Sequence, residues 1–189
     1  MNLPKLFSER PFLVLPGWQD SDEGHWQTIW EKKFGWKRVV QSDWNHPSRS
    51  AWTAQILRAV DEQTAPPVLI CHSLGCSALV HAVARQPALK AYAAFLVAPP
   101  NLDRPGTPAE LLDFRPVPSS ALPFASRVIA STNDGFSSIG ESEEMAKRWG
   151  SSLSNVGNRD HIGSAANVGA WEEGQSLLAE FLLSLPVSR

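Results

Sequence analysis

Positive charge is not concentrated anywhere in this sequence. Its 17 lysines and arginines are offset by 19 aspartates and glutamates, a formal net charge of -2, and no basic run breaks the balance. A phosphate backbone would find no long-range attraction, so nucleic acid is not an expected partner. No stretch approaches the roughly 18 uninterrupted apolar residues that cross a bilayer. Met1 to Arg10 also lacks an apolar core followed by a small-residue cleavage site. The expectation is a soluble, cytoplasmic protein with no membrane partner. Cysteine is scarce: Cys71 and Cys76 are the only two. They sit too close together for a disulfide across elements, and their spacing matches no redox or zinc motif. Both are expected to be reduced, buried thiols. No two histidines have the tight helical spacing of a metal site, and neither metal nor cofactor is expected. Internal repeats and low-complexity tracts are absent.

What is present suits a packed core: hydrophobic residues make up 43% and charged residues 19% of 189 residues. That length suits one domain, 1–189, because halving it would leave each part marginally stable. Residues 1–10 read as a loosely packed N-terminal segment. Short apolar runs alternate with segments of helical period. Phe12-Leu13-Val14-Leu15, ended by Pro16-Gly17, predicts the first strand. A helix follows over His25 to Phe34, with Gly35 as its stop, and Lys37 to Gln41 resumes extended character. Trp52, Ile56, Leu57 and Val60 predict a helix over Ser50 to Gln63. Val68 to Cys71 is the third strand, and Ala78, Leu79, Ala82 and Val83 mark the buried face of the next helix. Ala94 to Val97 and Val128 to Ala130 predict strands four and five, with a sixth near Leu153 to Val156. Met145, Ala146 and Trp149 belong to a helix after strand five, and Leu177 to Leu185 to the last one.

Strands separated by helices cannot pair as hairpins. The simplest architecture is a mostly parallel sheet of about six strands with helices on both faces, joined by right-handed crossovers. An order of 2-1-3-4-5-6 would place the ligand crevice beyond the carboxyl ends of strands one and three. The proline-rich segment Pro99 to Pro123 predicts a long ordered connection over that edge.

Within this frame, Cys71-His72-Ser73-Leu74-Gly75 stands at a strand-to-helix turn, where a serine hydroxyl is projected outward and amide N–H groups face the substrate oxyanion. The usual pattern is Gly-x-Ser-x-Gly, and Cys71 stands in place of the first glycine. The plain alternative is that Ser73 caps the following helix. A nucleophilic serine needs a base, and the base needs an acid to fix its tautomer. Of His25, His46, His72, His81 and His161, only His161 lies after the later strands; the others suit packing, capping or surface roles. Asp134, which follows strand five, is the best-placed acid. It could also merely shape an Asx turn. Asp103 follows strand four in an equivalent loop, and Asp160 would have to fold back to reach the adjacent His161 ring. The backbone N–H groups of Leu74 and Trp18 are the candidate oxyanion donors, although the loop after strand one could be only a tight turn. Most of the eight tryptophans should be core. Trp18, Trp44 and Phe136 follow strands at the functional edge and are candidate walls of an apolar acyl pocket.

Assembled in this way, the chain resembles the small serine hydrolases typified by retinoblastoma-binding protein nine and its bacterial relatives. The resemblance spans nearly the whole length. It rests on Pro16-Gly17, His25-Trp26, Asp43-Trp44 with Pro47 and Trp52, and His72-Ser73-Leu74-Gly75-Cys76. Phe114-Arg115-Pro116-Val117-Pro118, Leu122-Pro123-Phe124, Ser131-Thr132-Asn133-Asp134 and His161-Ile162 continue it. The resemblance implies an α/β-hydrolase fold without a large cap domain and a triad of Ser73, Asp134 and His161. The chain departs from the family's glycines at Cys71 and Asp160.

The function expected from these residues is hydrolysis of a small ester or related acyl substrate through an acyl-enzyme on Ser73. Two alternatives stand beside it. One is a protein-binding module on a hydrolase scaffold, with a partner the sequence does not identify. The other is an aminopeptidase or amidase.

Overall fold

In the computed structural model, which describes residues 3–186, the apolar run Phe12–Leu15 forms strand β1. Pro16 ends it, because proline has no N–H to continue a ladder. On one side β1 pairs in parallel with β3, Val68–His72, placing Leu15 opposite Cys71. On the other it pairs with β2, Lys37–Arg38. Strands β4 (Ala93–Val97), β5 (Ala125–Ala130) and β6 (Ser152–Asn155) complete a six-stranded parallel sheet of order β2-β1-β3-β4-β5-β6. The order expected from the sequence is the one found. Only β2 is shorter than its extended run, Lys37 to Gln41. The Val39 N–H still reaches the Val14 carbonyl at 2.9 Å, but the partner strand stops two residues before Gly17 and offers nothing further.

Six helices cover the sheet: α1 (Leu3–Leu6), α2 (Trp26–Phe34), α3 (Arg49–Asp61), α4 (Leu74–Arg85), α5 (Ile139–Trp149) and α6 (Glu172–Ser184). Alternation along the strands sorts the core into two layers. Leu13, Leu15, Leu69, Cys71 and Leu96 face α3, α4 and α5, where Trp52 and Trp149 are buried. Phe12, Val14, Ile70, Phe95 and Val97 face α2 and α6, against Trp26, Trp30, Trp36 and Trp171. Because both faces are covered, the central strands read as unbroken apolar runs rather than alternating ones. Both cysteines are free and buried. Among the described residues, no helix is long and apolar enough to cross a membrane.

Within the N-terminal segment, read as loosely packed, Phe7 is anchored in the core. Phe7 is 2% exposed, with its ring edge-on to Phe12, Phe34 and Trp36 at centroid distances of 5.9, 5.0 and 5.4 Å. A short apolar pair, Leu6-Phe7, followed by Ser8, Glu9 and Arg10, is too brief to stand out in the sequence, yet Phe7 closes the aromatic end of the α2 layer.

Two histidines interrupt that apolar layer. His25 caps α2, its Nδ1 accepting the Gln27 N–H at 3.1 Å, and its ring lies 4.7 Å from that of His72. Desolvation pushes His25 down to about 4, only partly opposed by Asp22. Desolvation, with His25 and His161 nearby, also holds His72 well below the ordinary imidazole range. Both are therefore buried as neutral rings.

Two outcomes are expected. The helix α4 lies so close to β1 that a Cβ on Gly75 would meet the backbone oxygens of Leu15 at 2.2 Å and Pro16 at 2.7 Å. Gly75→Ala should cost about 3 kcal/mol or more in chemical denaturation. The second concerns acid. The unfolded chain protonates His25 and His72 near pH 6.5, whereas the folded chain does not until far lower, so stability present above about pH 6.5 is lost as the pH falls toward 4. Thermal midpoints measured across that window should decline, and His25→Asn, which keeps a capping acceptor, should flatten the decline.

Candidate active site

The site stands at the carboxyl ends of the strands, and its shape begins with the turn from β3 into α4. Ser73 takes φ 53° and ψ -125°, a left-handed conformation that a non-glycine residue holds only when its surroundings enforce it. Two close approaches enforce it here. Gly75 passes against Leu15 and Pro16, and Gly17 is so near that a Cβ there would lie 2.8 Å from the Ser73 Cβ and 3.3 Å from the Leu74 nitrogen. Cys71 does not disturb this arrangement. Its side chain turns into the core with Leu15 and Leu96 rather than toward the turn, and the elbow forms without the first glycine.

The Ser73 hydroxyl makes no helix-capping hydrogen bond. It lies 2.8 Å from His161 Nε2. On the far side of the ring, His161 Nδ1 is 2.9 and 3.0 Å from the two carboxylate oxygens of Asp134. A carboxylate only accepts, so Nδ1 donates and Nε2 is left to accept from Ser73. The Asp134 side chain is 3% exposed and that of His161 20%. Asp134 also closes the Asx turn that was its alternative reading, its Oδ1 accepting the Phe136 N–H at 2.8 Å. One carboxylate serves the turn and the imidazole together. Asp103, the other strand-end acid, is turned away and pairs with Arg115 at 3.4 Å.

The loops carrying Asp134 and His161 are clasped to each other. Asn133 Oδ1 accepts the Asp160 N–H at 2.9 Å and its Nδ2 donates to Asp160 Oδ1 at 2.7 Å. Ser131 Oγ accepts the Arg159 N–H at 2.9 Å. Asp160, at φ 45°, thus neither folds back on the imidazole nor points free into solvent: its carboxylate binds Asn133. Beneath the loop, His72 Nε2 donates to the His161 carbonyl at 2.9 Å, which puts the proton of the buried, neutral ring on Nε2. His72 and Asn133 were not singled out in the sequence for these tasks. The Ser131-Thr132-Asn133-Asp134 run was visible, but the loop it grips was not.

The loop after β1 runs beside the same turn. Gln19 N–H goes to the Trp44 carbonyl at 3.0 Å and Asp20 N–H to the Gly17 carbonyl at 3.2 Å. Among the described residues, the Trp18 N–H just before these two has no partner. The Leu74 N–H is the first of α4 and has no carbonyl within its own helix to bond. Gly17 keeps these two stretches of backbone together.

A cleft of about 340 Å³ opens over Ser73 and His161, walled by Trp18, Phe136, Leu111 and Pro108, among others. The Phe136 ring lies 4.3 Å from that of His161. Trp18 holds its place by donating Nε1–H to the Asn45 carbonyl at 2.9 Å. Trp44 is a correction. It does not line the cleft but packs edge-on to Trp52, at 5.4 Å, and offers the loop only its carbonyl. The segment between Pro99 and Pro123 supplies the opposite wall, including Arg104 and a 3-10 helix over Ala109–Phe114. Its place over the sheet edge was expected, but its individual lining residues were not. Among the described residues no group of three or more histidines, cysteines or carboxylates is disposed to hold a metal ion.

The serine hydrolase family model matches residues 12–180. No curated protein sequence matches the chain. A YdeN-like hydrolase of Pectobacterium atrosepticum is similar over 97% of each chain, at 32% identity and a TM-score of 0.84. The ydeN gene product of B. subtilis matches 93% of this chain and all of its own, at 16% identity and a TM-score of 0.75. Est1E of Butyrivibrio proteoclasticus, in a structure with ferulic acid bound, covers 96% of this chain and 93% of its own, at 12% identity and a TM-score of 0.70. The last two speak to the fold alone, which is the α/β-hydrolase fold without a large cap domain. With a family match running from β1 into α6, and a relative at 32% identity along nearly its whole length, the chain belongs to the serine hydrolase family.

Proposed function

We propose that the protein is a carboxylesterase of the retinoblastoma-binding protein nine type, cleaving small acyl esters through an acyl-enzyme on Ser73. The observation that carries this reading is the unbroken line of hydrogen bonds from Ser73 through His161 to Asp134, at 2.8 and 2.9 Å, opening into a cleft. His161 Nε2 takes the hydroxyl proton as Ser73 Oγ attacks the ester carbon. Asp134 keeps the imidazole in the tautomer that can accept and stabilises the cation that forms. The oxyanion is held by the N–H groups of Leu74 and Trp18, the former at the positive end of α4. His161 then returns the proton to the departing alkoxide, and water, activated by the same ring, releases the acid. Each step uses groups of this chain and water.

The cleft walls of Trp18, Phe136, Pro108 and Leu111 favour an apolar portion of substrate near the ester. With no cap domain above it, the site suits small or extended substrates rather than long chains enclosed beneath a lid.

Labelling with a fluorophosphonate tests the reading directly. Wild type should label and should hydrolyse 4-nitrophenyl acetate, whereas Ser73→Ala should do neither, with turnover down by about 10⁴-fold or more. A folded wild type inert in both assays would leave the scaffold as a protein-binding module. Faster cleavage of aminoacyl amides than of matched esters would make it an amidase. Asp134→Asn can keep the Asx turn but no longer fixes the accepting tautomer; its kcat should fall by about 10⁴-fold while the fold survives. In Gly17→Ala, the new methyl group separates the Trp18 loop from Ser73 and Leu74. Its kcat should drop by about 10²-fold or more with labelling slowed in parallel, the cost of a displaced oxyanion donor.

A further inference from the structure

The cleft over Ser73 is electrically lopsided. In the sheet order, Ser73 follows β3, between the loop after β1 and the loop after β4. The first loop contributes Asp20 and Asp22 to the cleft, and the second contributes Arg104. Both carboxylates are engaged. Asp20 Oδ1 accepts from Arg38 Nη1 at 2.8 Å. Asp22 Oδ1 accepts the Gly24 N–H and the Ser164 hydroxyl, each at 2.8 Å.

Arg104 is not engaged in that way. Among the described residues no carboxylate forms an ion pair with it. Glu141, whose carboxyl pKa is lowered mainly by its bonds to Ser138 and slightly by Arg104, is already committed. Glu141 Oε2 accepts the Ser138 N–H and hydroxyl at 2.7 and 2.9 Å, and Oε1 accepts from Asn101 Nδ2 at 2.6 Å. The guanidinium instead lies over the Phe136 ring, 4.8 Å from its centroid, and Phe136 in turn rests on His161. A cation parked on an aromatic face keeps its in-plane N–H donors available.

The loop that carries Arg104 is held firmly. The Arg104 carbonyl accepts the Thr107 hydroxyl at 3.0 Å and Arg115 Nη2 at 3.4 Å. The Leu102 carbonyl takes the same two side chains. The Asp103 N–H donates to Asn101 Oδ1 at 2.9 Å, and the Asn101 N–H ties the loop to the Phe136 carbonyl at 3.0 Å. The backbone beneath Arg104 is therefore fixed against the segment that bears Asp134. An arginine on a preorganised loop, lining the same cleft as the nucleophile and without an internal counter-ion, is arranged to receive an anion from outside.

We propose that Arg104 is a specificity determinant and that the substrate is a small ester bearing a carboxylate, which Arg104 binds while Ser73 attacks the ester carbon. The apolar walls of Phe136 and Leu111 accommodate the link between the two groups. On the opposite side of Ser73, Asp20 is compensated by Arg38, but Asp22, bonded only to neutral donors, repels the carboxylate and leaves one orientation favoured. This inference rests on the serine esterase reading above and adds the substrate class to it.

Two matched pairs of esters test it, compared by kcat/KM with the purified protein. One pair carries the charge on the alcohol part: 4-acetoxyphenylacetate against 4-acetoxyphenylacetamide. The other carries it on the acyl part: mono-4-nitrophenyl adipate against the 4-nitrophenyl ester of adipamic acid. In one pair the acid should be preferred by about tenfold, the return on one charge-assisted hydrogen bond, and that pair identifies the side of the ester that faces Arg104. The preference should shrink as salt is raised to about 0.5 M. It should vanish in Arg104→Gln and survive in part in Arg104→Lys. Should the glutamine variant fail to fold, the wild-type ratios and their salt dependence still decide. If Ser73-dependent hydrolysis of both neutral esters is accompanied by no preference for either acid, the inference is overturned and the esterase reading stands. A preference that persists in Arg104→Gln also overturns it. If no ester is hydrolysed and Ser73 is not labelled, the esterase reading fails and takes this inference with it.

Discussion

The backbone of helix α4 touches the end of strand β1, and the rest of the site is arranged around that contact. Leu15 and Pro16 present carbonyl oxygens where Gly75 has no side chain, and Gly17 passes beside Ser73 for the same reason. The contact holds Ser73 in a left-handed conformation that costs on the order of 1–3 kcal/mol in isolation. It also keeps the backbone of the loop after β1 against Ser73 and Leu74. The second glycine of the elbow motif is thus a requirement of packing between two strands' ends. The first glycine position carries no equivalent demand here. Cys71 lies within β3 opposite Leu15 and Leu96, with its side chain on the α4 face of the sheet, where the core has room for a small thiol.

A second constraint fixes the imidazole. Asp134 and His161 sit on loops after β5 and β6, and loops at the edge of a sheet are ordinarily its most mobile parts. Here the Asn133 amide and the Ser131 hydroxyl tie one loop to the other immediately beside both residues, while His72 holds the His161 carbonyl from below. The 2.9 Å contact between carboxylate and imidazole is therefore set by backbone-to-side-chain bonds around it rather than by the pair alone. The Ser-Thr-Asn-Asp run is best understood in this way: Ser131 and Asn133 form the clasp, and Asp134 closes the turn while facing the ring.

Much of this was legible in the sequence because it follows from order and period. Apolar runs separated by helical segments dictated a parallel sheet, and the sheet dictated that Ser73, Asp134 and His161 all emerge at one edge. What periodicity cannot specify is which way a loop side chain turns. Trp18 and Trp44 looked equivalent, each following a strand, yet β2 is the outermost strand and its loop falls onto α3, where Trp44 finds Trp52. Phe7 was missed because an apolar run as brief as Leu6-Phe7 gives no signal. Arg104 was invisible for a related reason. Its significance lies in the absence of a partner, and partners are a property of three-dimensional proximity, not of spacing along the chain.

The three neighbouring imidazoles show how the fold decides where a positive charge can reside. The rings of His25, His72 and His161 form a row, with centroids 4.7 and 5.1 Å apart. Charging more than one would be costly at such distances in a partly dry site. Burial keeps His25 and His72 neutral, and each uses one nitrogen for backbone: His25 accepts from Gln27, and His72 donates to His161. Only His161 touches a carboxylate. On the proposed mechanism the proton leaving Ser73 must be held on one imidazole while the oxyanion exists. The neutral pair beneath supplies rigidity without competing for that proton. Were either neighbour charged, its repulsion would oppose the imidazolium at the moment it forms. The same burial that holds His25 and His72 neutral thus reserves the positive charge for the ring that faces both Ser73 and Asp134.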